Sequence, residues 1–225
     1  MNKLKTMICS ALAIACISTS PLMAGSADFA GPYFAIQGNG IGVELDGKYT
    51  DADGTITKGA GGKALHWAGL DIGYNIPLSD VFFIAVGASY TPGEGEISKH
   101  DDAADAADVK VKAKEFYNYY IMPSFAITDS SAIYIKAGQA EADLDITGDF
   151  TGTATSSIDG DLVGIGLRTI LPGGLFFQSE AGQVDYDTIT VNDIGTADSD
   201  PAGQKGDVVA TPTFMYGSFS VGVKF

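Results

Sequence analysis

The sequence predicts an all-β protein, an eight-stranded antiparallel up-and-down transmembrane β-barrel with four long loops at one end and three short turns at the other. Three observations carry that prediction. Stretches of period-two alternation rich in Tyr, Phe, Val and Ile recur between Gly, Pro, Asn, Asp and Ser clusters. Their connections alternate between short and long, and the less apolar face of each strand is mostly Gly and Ser.

Composition sets the frame. At 225 residues with 45% hydrophobic and 18% charged residues, the chain is too apolar for a disordered tail and suits one domain or at most two small ones. Its 28 acids against 13 bases, a formal −15, argue against a nucleic-acid partner, because phosphate binding needs clustered Lys and Arg. Cys9 and Cys16 both lie near the N-terminus and neither sits at zinc-ligand spacing, which excludes a disulfide framework and a cysteine metal site.

Residues 1–24 read as a cleaved signal peptide. Lys3 and Lys5 make a basic start, Met7 to Ile17 is an apolar run too short to span a bilayer, and Ala24 is a small residue before Gly25. Residues 25–225 form the barrel domain. Removing Lys3 and Lys5 with the signal leaves 11 bases against 28 acids, or −17.

Eight strands are expected at Tyr33–Val43, Ala64–Asn75, Val81–Tyr90, Val111–Ala126, Ala132–Ala142, Leu162–Ile170, Leu175–Val184 and Thr213–Phe225. Hairpin-sized links join the second to the third, the fourth to the fifth and the sixth to the seventh. The other links, Glu44–Lys63, Thr91–Lys110, Asp143–Asp161 and Asp185–Pro212, read as long loops. Alternating short and long links around an even number of strands put every long link at one end. Pro123 lacks an N–H inside the fourth strand, so a bulge or an earlier strand end is expected there.

Which face meets lipid follows from the second face of each strand. Met215, Phe219, Val221, Val223 and Phe225 alternate with Tyr216, Ser218, Ser220, Gly222 and Lys224; Ile133 and Ile135 alternate with Tyr134 and Lys136. Small residues with about one charge per strand fill a narrow barrel but make a poor solvated surface, so the apolar faces look to lipid. Charges agree, since 22 of the 28 acids lie in or beside the four long links. Tyr33, Phe34, Tyr74, Phe82, Phe83, Phe176, Phe177 and Phe225, near strand ends, fit interfacial girdles.

Three segments resemble the OmpA/OmpX-like eight-stranded outer-membrane barrels of Gram-negative bacteria. They are Gly31-Pro32-Tyr33-Phe34-Ala35-Ile36, the hairpin Pro123 to Asp129 running into Ile133-Tyr134-Ile135-Lys136-Ala137-Gly138, and the ending Phe219 to Phe225. The resemblance covers Gly31 to Phe225, without a C-terminal peptidoglycan-binding domain. It implies location in the cell outer membrane, with termini periplasmic and long loops extracellular. Phe219, Val221, Val223 and Phe225 resemble the signal read by the barrel-assembly machinery. Expected partners are that machinery and outer-membrane lipid and lipopolysaccharide, with an extracellular ligand left unnamed; no nucleic acid and no cofactor are expected.

Inside the barrel, Asp71, Lys136, Arg168 and Glu180 should form a salt-bridge cluster plugging the lumen, because buried charges must be paired. Metal binding is not expected. Asp51, Asp53, Asp143 and Asp145 are weak candidates that complete no calcium-loop pattern. An enzyme would need an activated nucleophile, and the pairing of His66 with a serine such as Ser89 has no supporting motif. The sequence therefore reads as a non-enzymatic outer-membrane barrel with a structural or surface-interaction role. A narrow porin-like channel is the alternative, and a lipid-modifying enzyme a distant third.

Overall fold

In the computed structural model, which describes residues 25–50, 54–100, 109–148, 150–194 and 206–225, nine strands form one sheet. They are β1 (Gly31–Thr50), β2 (Ile56–Pro77), β3 (Phe82–His100), β4 (Val109–Ala126), β5 (Ser131–Gly148), β6 (Ser157–Ile170), β7 (Leu175–Tyr186), β8 (Ile189–Ile194) and β9 (Gly206–Lys224). Neighbours pair antiparallel in the order β1 to β7, then β9, and β9 returns to β1 along Tyr33↔Lys224 through Thr50↔Asp207, closing an eight-stranded barrel. The extra strand β8 continues the line of β7 and pairs with the far end of β9 through Ile189↔Ala210. Short turns connect β2 to β3, β4 to β5 and β6 to β7, as the link lengths predict.

Alternation sets the two faces of the wall. Phe219 is 55% exposed while its neighbour Ser220 is 1% exposed. Ile36, Leu70, Ile72, Ile121, Ile133, Ile165 and Leu167 likewise point outward. These side chains form an apolar band around the short-turn half, where a lipid bilayer satisfies them. Beyond Ile36, Leu70, Tyr119 and Met215 the outward positions are mainly Gly, Ala, Lys, Glu, Asp and Thr.

The strands run well past that band, which corrects the expectation of four long loops. β1 and β2 hold a continuous ladder from Gly31↔Asn75 to Thr50↔Ile56, some twenty residues each, where about 9–11 suffice to cross a bilayer. Most of the acid-rich segments read as loops are paired strand; between β5 and β6 only residues 149–156 remain as a link, and they are tied to β8 by the bridges Phe150↔Ile194 and Ala154↔Val191.

Two other expectations change. Pro123 carries no bulge: it faces Ile84 of β3, and the β4–β5 register is the same on either side of it. The irregularities lie further out, at Thr91/Glu94, Glu96/Ser98 and Lys114/Phe116, where Glu115 takes φ 53°. The extra residue at Glu115 shifts parity, so that Val109, Val111 and Ala113 point inward above it and Phe116, Tyr120 and Met122 below it. Of the girdle candidates, Tyr33, Phe83 and Phe176 turn into the barrel, while Phe34, Tyr74, Phe177 and Phe225 face out.

One seam breaks the wall. The β2–β3 ladder runs only from Leu70↔Tyr90 to Pro77↔Phe83. Above it Pro92 offers no N–H, and side chains replace the ladder: a methyl group on Gly93 or Gly95 would come within 2.6 Å of the Trp67 ring.

Candidate functional site

The lumen is organised in layers. At the short-turn end a 3-10 turn, Ser26–Phe29, folds under the barrel, and Phe29 stacks on Phe83 with ring centroids 4.9 Å apart. Asn75 holds this cap by donating to the Phe29 carbonyl at 2.8 Å, and Lys224 donates to the Asp28 carbonyl at 2.6 Å.

Above the cap lies a buried polar layer. The Arg168 guanidinium donates to Gln178 at 2.8 Å and to Asn75 at 3.1 Å, and lies 4.3 Å from the Tyr33 ring centroid and 4.8 Å from that of Phe176. Tyr120 donates to Asp71, and the Tyr120 and Tyr33 hydroxyls are 2.9 Å apart. Lys136 forms an ion pair with Glu180 at 2.9 Å, with its ammonium over the Tyr120 ring. Tyr134 and Tyr216 each donate to Glu180 at 2.8 Å.

All four charges named from the sequence, Asp71, Lys136, Arg168 and Glu180, point inward and are at most 6% exposed. Two of them, Lys136 and Glu180, form the ion pair. Asp71 and Arg168 are tied in through tyrosines and amides instead. The alternation puts Tyr134 and Tyr216 on the inward face, but nothing in the sequence assigns them, Tyr33 or Tyr120 to the charge network.

Glycines make room for these rings. Tyr33 lies against Gly73, Tyr120 against Gly87, Tyr134 against Gly166, Tyr216 against Gly182 and Phe176 against Gly222, each the cross-strand partner of its ring. A side chain at any of these glycines would occupy the space of an aromatic ring, so the small inward residues act as seats for large ones.

Next comes a cavity of about 60 Å³ with Gln37, Asn39, Ser89 and Asn118 around it and the Lys136–Glu180 pair at its base. Above it four aromatics from four strands form a collar. Trp67 and Phe116 lie 4.7 Å apart, Phe116 and Phe214 6.0 Å, and Phe214 and Tyr186 4.9 Å.

Beyond the collar the interior turns apolar. A chamber of about 440 Å³ has Ile97, Val109, Val111, Ile189, Val191 and Val208 in its walls, flanked by the glycine-rich stretch Gly59 to Gly62 of β2, with Lys48, Lys58, Lys63 and Glu96 also on its lining. From the sequence nearly all of these residues fall in the segments read as loops, so an apolar interior built from them is a feature that the strand extensions add.

Phe219, Val221 and Val223 alternate along the outer face of β9, and the exposed Phe225 follows directly after it. Asp143 and Asp145 lie across from Lys114 and Lys112. Asp51, Asp53 and the signal segment 1–24 lie outside the described residues. Among the described residues, no group of three or more His, Cys, Asp or Glu side chains could hold a metal ion. His66 is exposed on the outside of β2 and Ser89 is buried inside the barrel, so the wall separates them.

No protein-family model and no curated protein matches the sequence. Among solved structures the chain is similar to the outer membrane protein OprG from Pseudomonas aeruginosa, with a TM-score of 0.55 and 16% identity over 91% of this chain and 100% of that one. It is more distantly similar to Neisserial surface protein A, at TM-score 0.42 and 13% identity over 85% of this chain and 97% of that one. The attachment invasion locus protein Ail of Yersinia pestis matches at TM-score 0.38 and 12% identity over 85% and 99%. The closed sheet, the outward apolar band and the likeness to OprG together identify the eight-stranded outer-membrane β-barrel fold.

Proposed function

We propose that this protein sits in the outer membrane with its short turns periplasmic and its strand extensions outside the cell, and that it captures small apolar molecules there without forming an ion channel. The chamber is the observation that carries this reading. Val, Ile and Ala side chains around 440 Å³ open to water are unfavourable by about 25 cal/mol per Å² of apolar surface, and an apolar occupant removes that penalty. The volume falls within the roughly 300–1,000 Å³ of small-molecule pockets. Beneath it, the collar and the Lys136–Glu180 layer fill the barrel with side chains, which supports a lumen closed to ions. This gives the expected surface-interaction role a chemical form. Phe219, Val221, Val223 and Phe225 fit the proposed contact with the barrel-assembly machinery at the end of β9.

Trp67, the single tryptophan of the chain, packs on Phe116 in the collar next to the chamber and reports occupancy. Bromohexane added to the barrel in lipid nanodiscs is expected to quench Trp67 fluorescence saturably. Val191→Lys, which sets a charge in the chamber wall, should abolish the saturable part. Quenching that rises linearly and equally in both proteins would reflect partition into lipid and contradict the chamber reading.

A further inference from the structure

We infer that the chamber's ligand is a neutral amphiphile, such as a medium-chain alcohol, whose hydroxyl head passes the aromatic collar and binds in the polar cavity beneath it. This rests on the chamber reading and goes beyond it by naming the head group and the residues that hold it. Gln37 is 7% exposed, lines the cavity and has no side-chain hydrogen-bond partner among the described residues. Its amide faces the cavity rather than a protein partner, so a guest carrying a hydroxyl can take the hydrogen bonds that water would otherwise make there. Asn118 and Asn39 use their amide N–H groups on Ser89 at 3.0 Å and on Thr91 at 3.5 Å, which leaves their carbonyl oxygens as acceptors. The cavity therefore offers donors and acceptors together, the pattern that a hydroxyl matches on both counts.

Charge argues for neutrality. Among the described residues, the ionised groups on the head cavity are Lys136 and Glu180, which are paired at 2.9 Å, so a carboxylate or ammonium head would enter there without a counter-charge. Shape argues for an amphiphile. The head cavity holds about 60 Å³, room for a small polar group only, and is roofed by Phe116, Phe214 and Tyr186, whereas the 440 Å³ above is walled mainly by aliphatic side chains, with Lys48, Lys58, Lys63 and Glu96 on its lining as well.

The test compares bromohexanol, bromohexane and bromohexanoate by Trp67 quenching in nanodiscs. Gln37→Leu is expected to weaken bromohexanol about tenfold, the loss of roughly one hydrogen bond, while bromohexane changes less than about twofold. Asn118→Ala carries the same expectation from another strand should Gln37→Leu not fold, folding being read from strand content by circular dichroism. If both ligands weaken equally, or neither does, while saturable bromohexane quenching persists, the head site is overturned and the chamber stands. Bromohexanoate binding as tightly as bromohexanol would overturn the neutral head. Absence of saturable quenching by any of the three in the wild type would overturn the chamber reading itself.

Discussion

Glu180→Leu is expected to destabilise the folded barrel by about 3–5 kcal/mol, the usual consequence of breaking a buried ion pair from one side. Glu180 accepts hydrogen bonds from Lys136, Tyr134 and Tyr216 at 2.8–2.9 Å, and all three donors would lose their acceptor at once. The Lys136 ammonium would be left among aromatic rings with no counter-charge within its ion-pair distance. Removing the partner as well should restore much of the loss, since a buried pair replaced by apolar residues of similar volume is often close to neutral. Lys136→Met combined with Glu180→Leu is therefore expected to be more stable than Glu180→Leu alone. Urea unfolding of the lipid-inserted barrel, followed by circular dichroism, measures both. A single variant within about 1 kcal/mol of wild type would mean that the pair is hydrated rather than buried.

The second large effect is expected at Arg168→Ala, at about 3 kcal/mol from two orphaned amides and the space the side chain leaves. Arg168 is 2% exposed and its guanidinium joins β6 to Gln178 on β7 and Asn75 on β2 across the lumen. Asn75 also anchors the Phe29 carbonyl, so the 3-10 cap should loosen with it. Arg168→Lys should fall between, because an ammonium cannot present the planar fork that reaches two amides while stacking on Tyr33 and Phe176. Unfolding midpoints, together with proteolytic release of the segment ahead of β1, read out both parts.

What the sequence discloses and what it hides have the same physical origin. Period two says which residues share a face, and in the short-turn half the lipid-facing set is so apolar that the inward positions of Asp71, Lys136, Arg168 and Glu180 follow directly. Further out the same period persists with its sense reversed. On β4 the lysines Lys110, Lys112 and Lys114 turn out and Val109, Val111 and Ala113 turn in, and only the bulge at Glu115 reconciles this with Phe116 and Tyr120 below. A single parity applied to the whole strand cannot show that.

The strand extensions were hidden for a different reason. Thr57 to Lys63 is rich in Gly and Lys, residues that read as loop, yet it is strand because β1 supplies an unbroken ladder opposite it. The fit of ring to glycine depends on cross-strand register, as at Tyr134↔Gly166, which no local pattern encodes. The polar network was half legible for that reason: its charges announce themselves, while its tyrosines look like any strand aromatic until their partners are known.

Single-channel recording in planar bilayers tests most directly whether the Lys136–Glu180 layer and the collar above it close the lumen. The inserted wild-type barrel is expected to stay silent at every applied voltage, because the Lys136–Glu180 layer closes the lumen beneath the small cavity and the collar narrows it above. Steady, reproducible conductance steps from the wild type would contradict a closed lumen and make the protein a narrow pore.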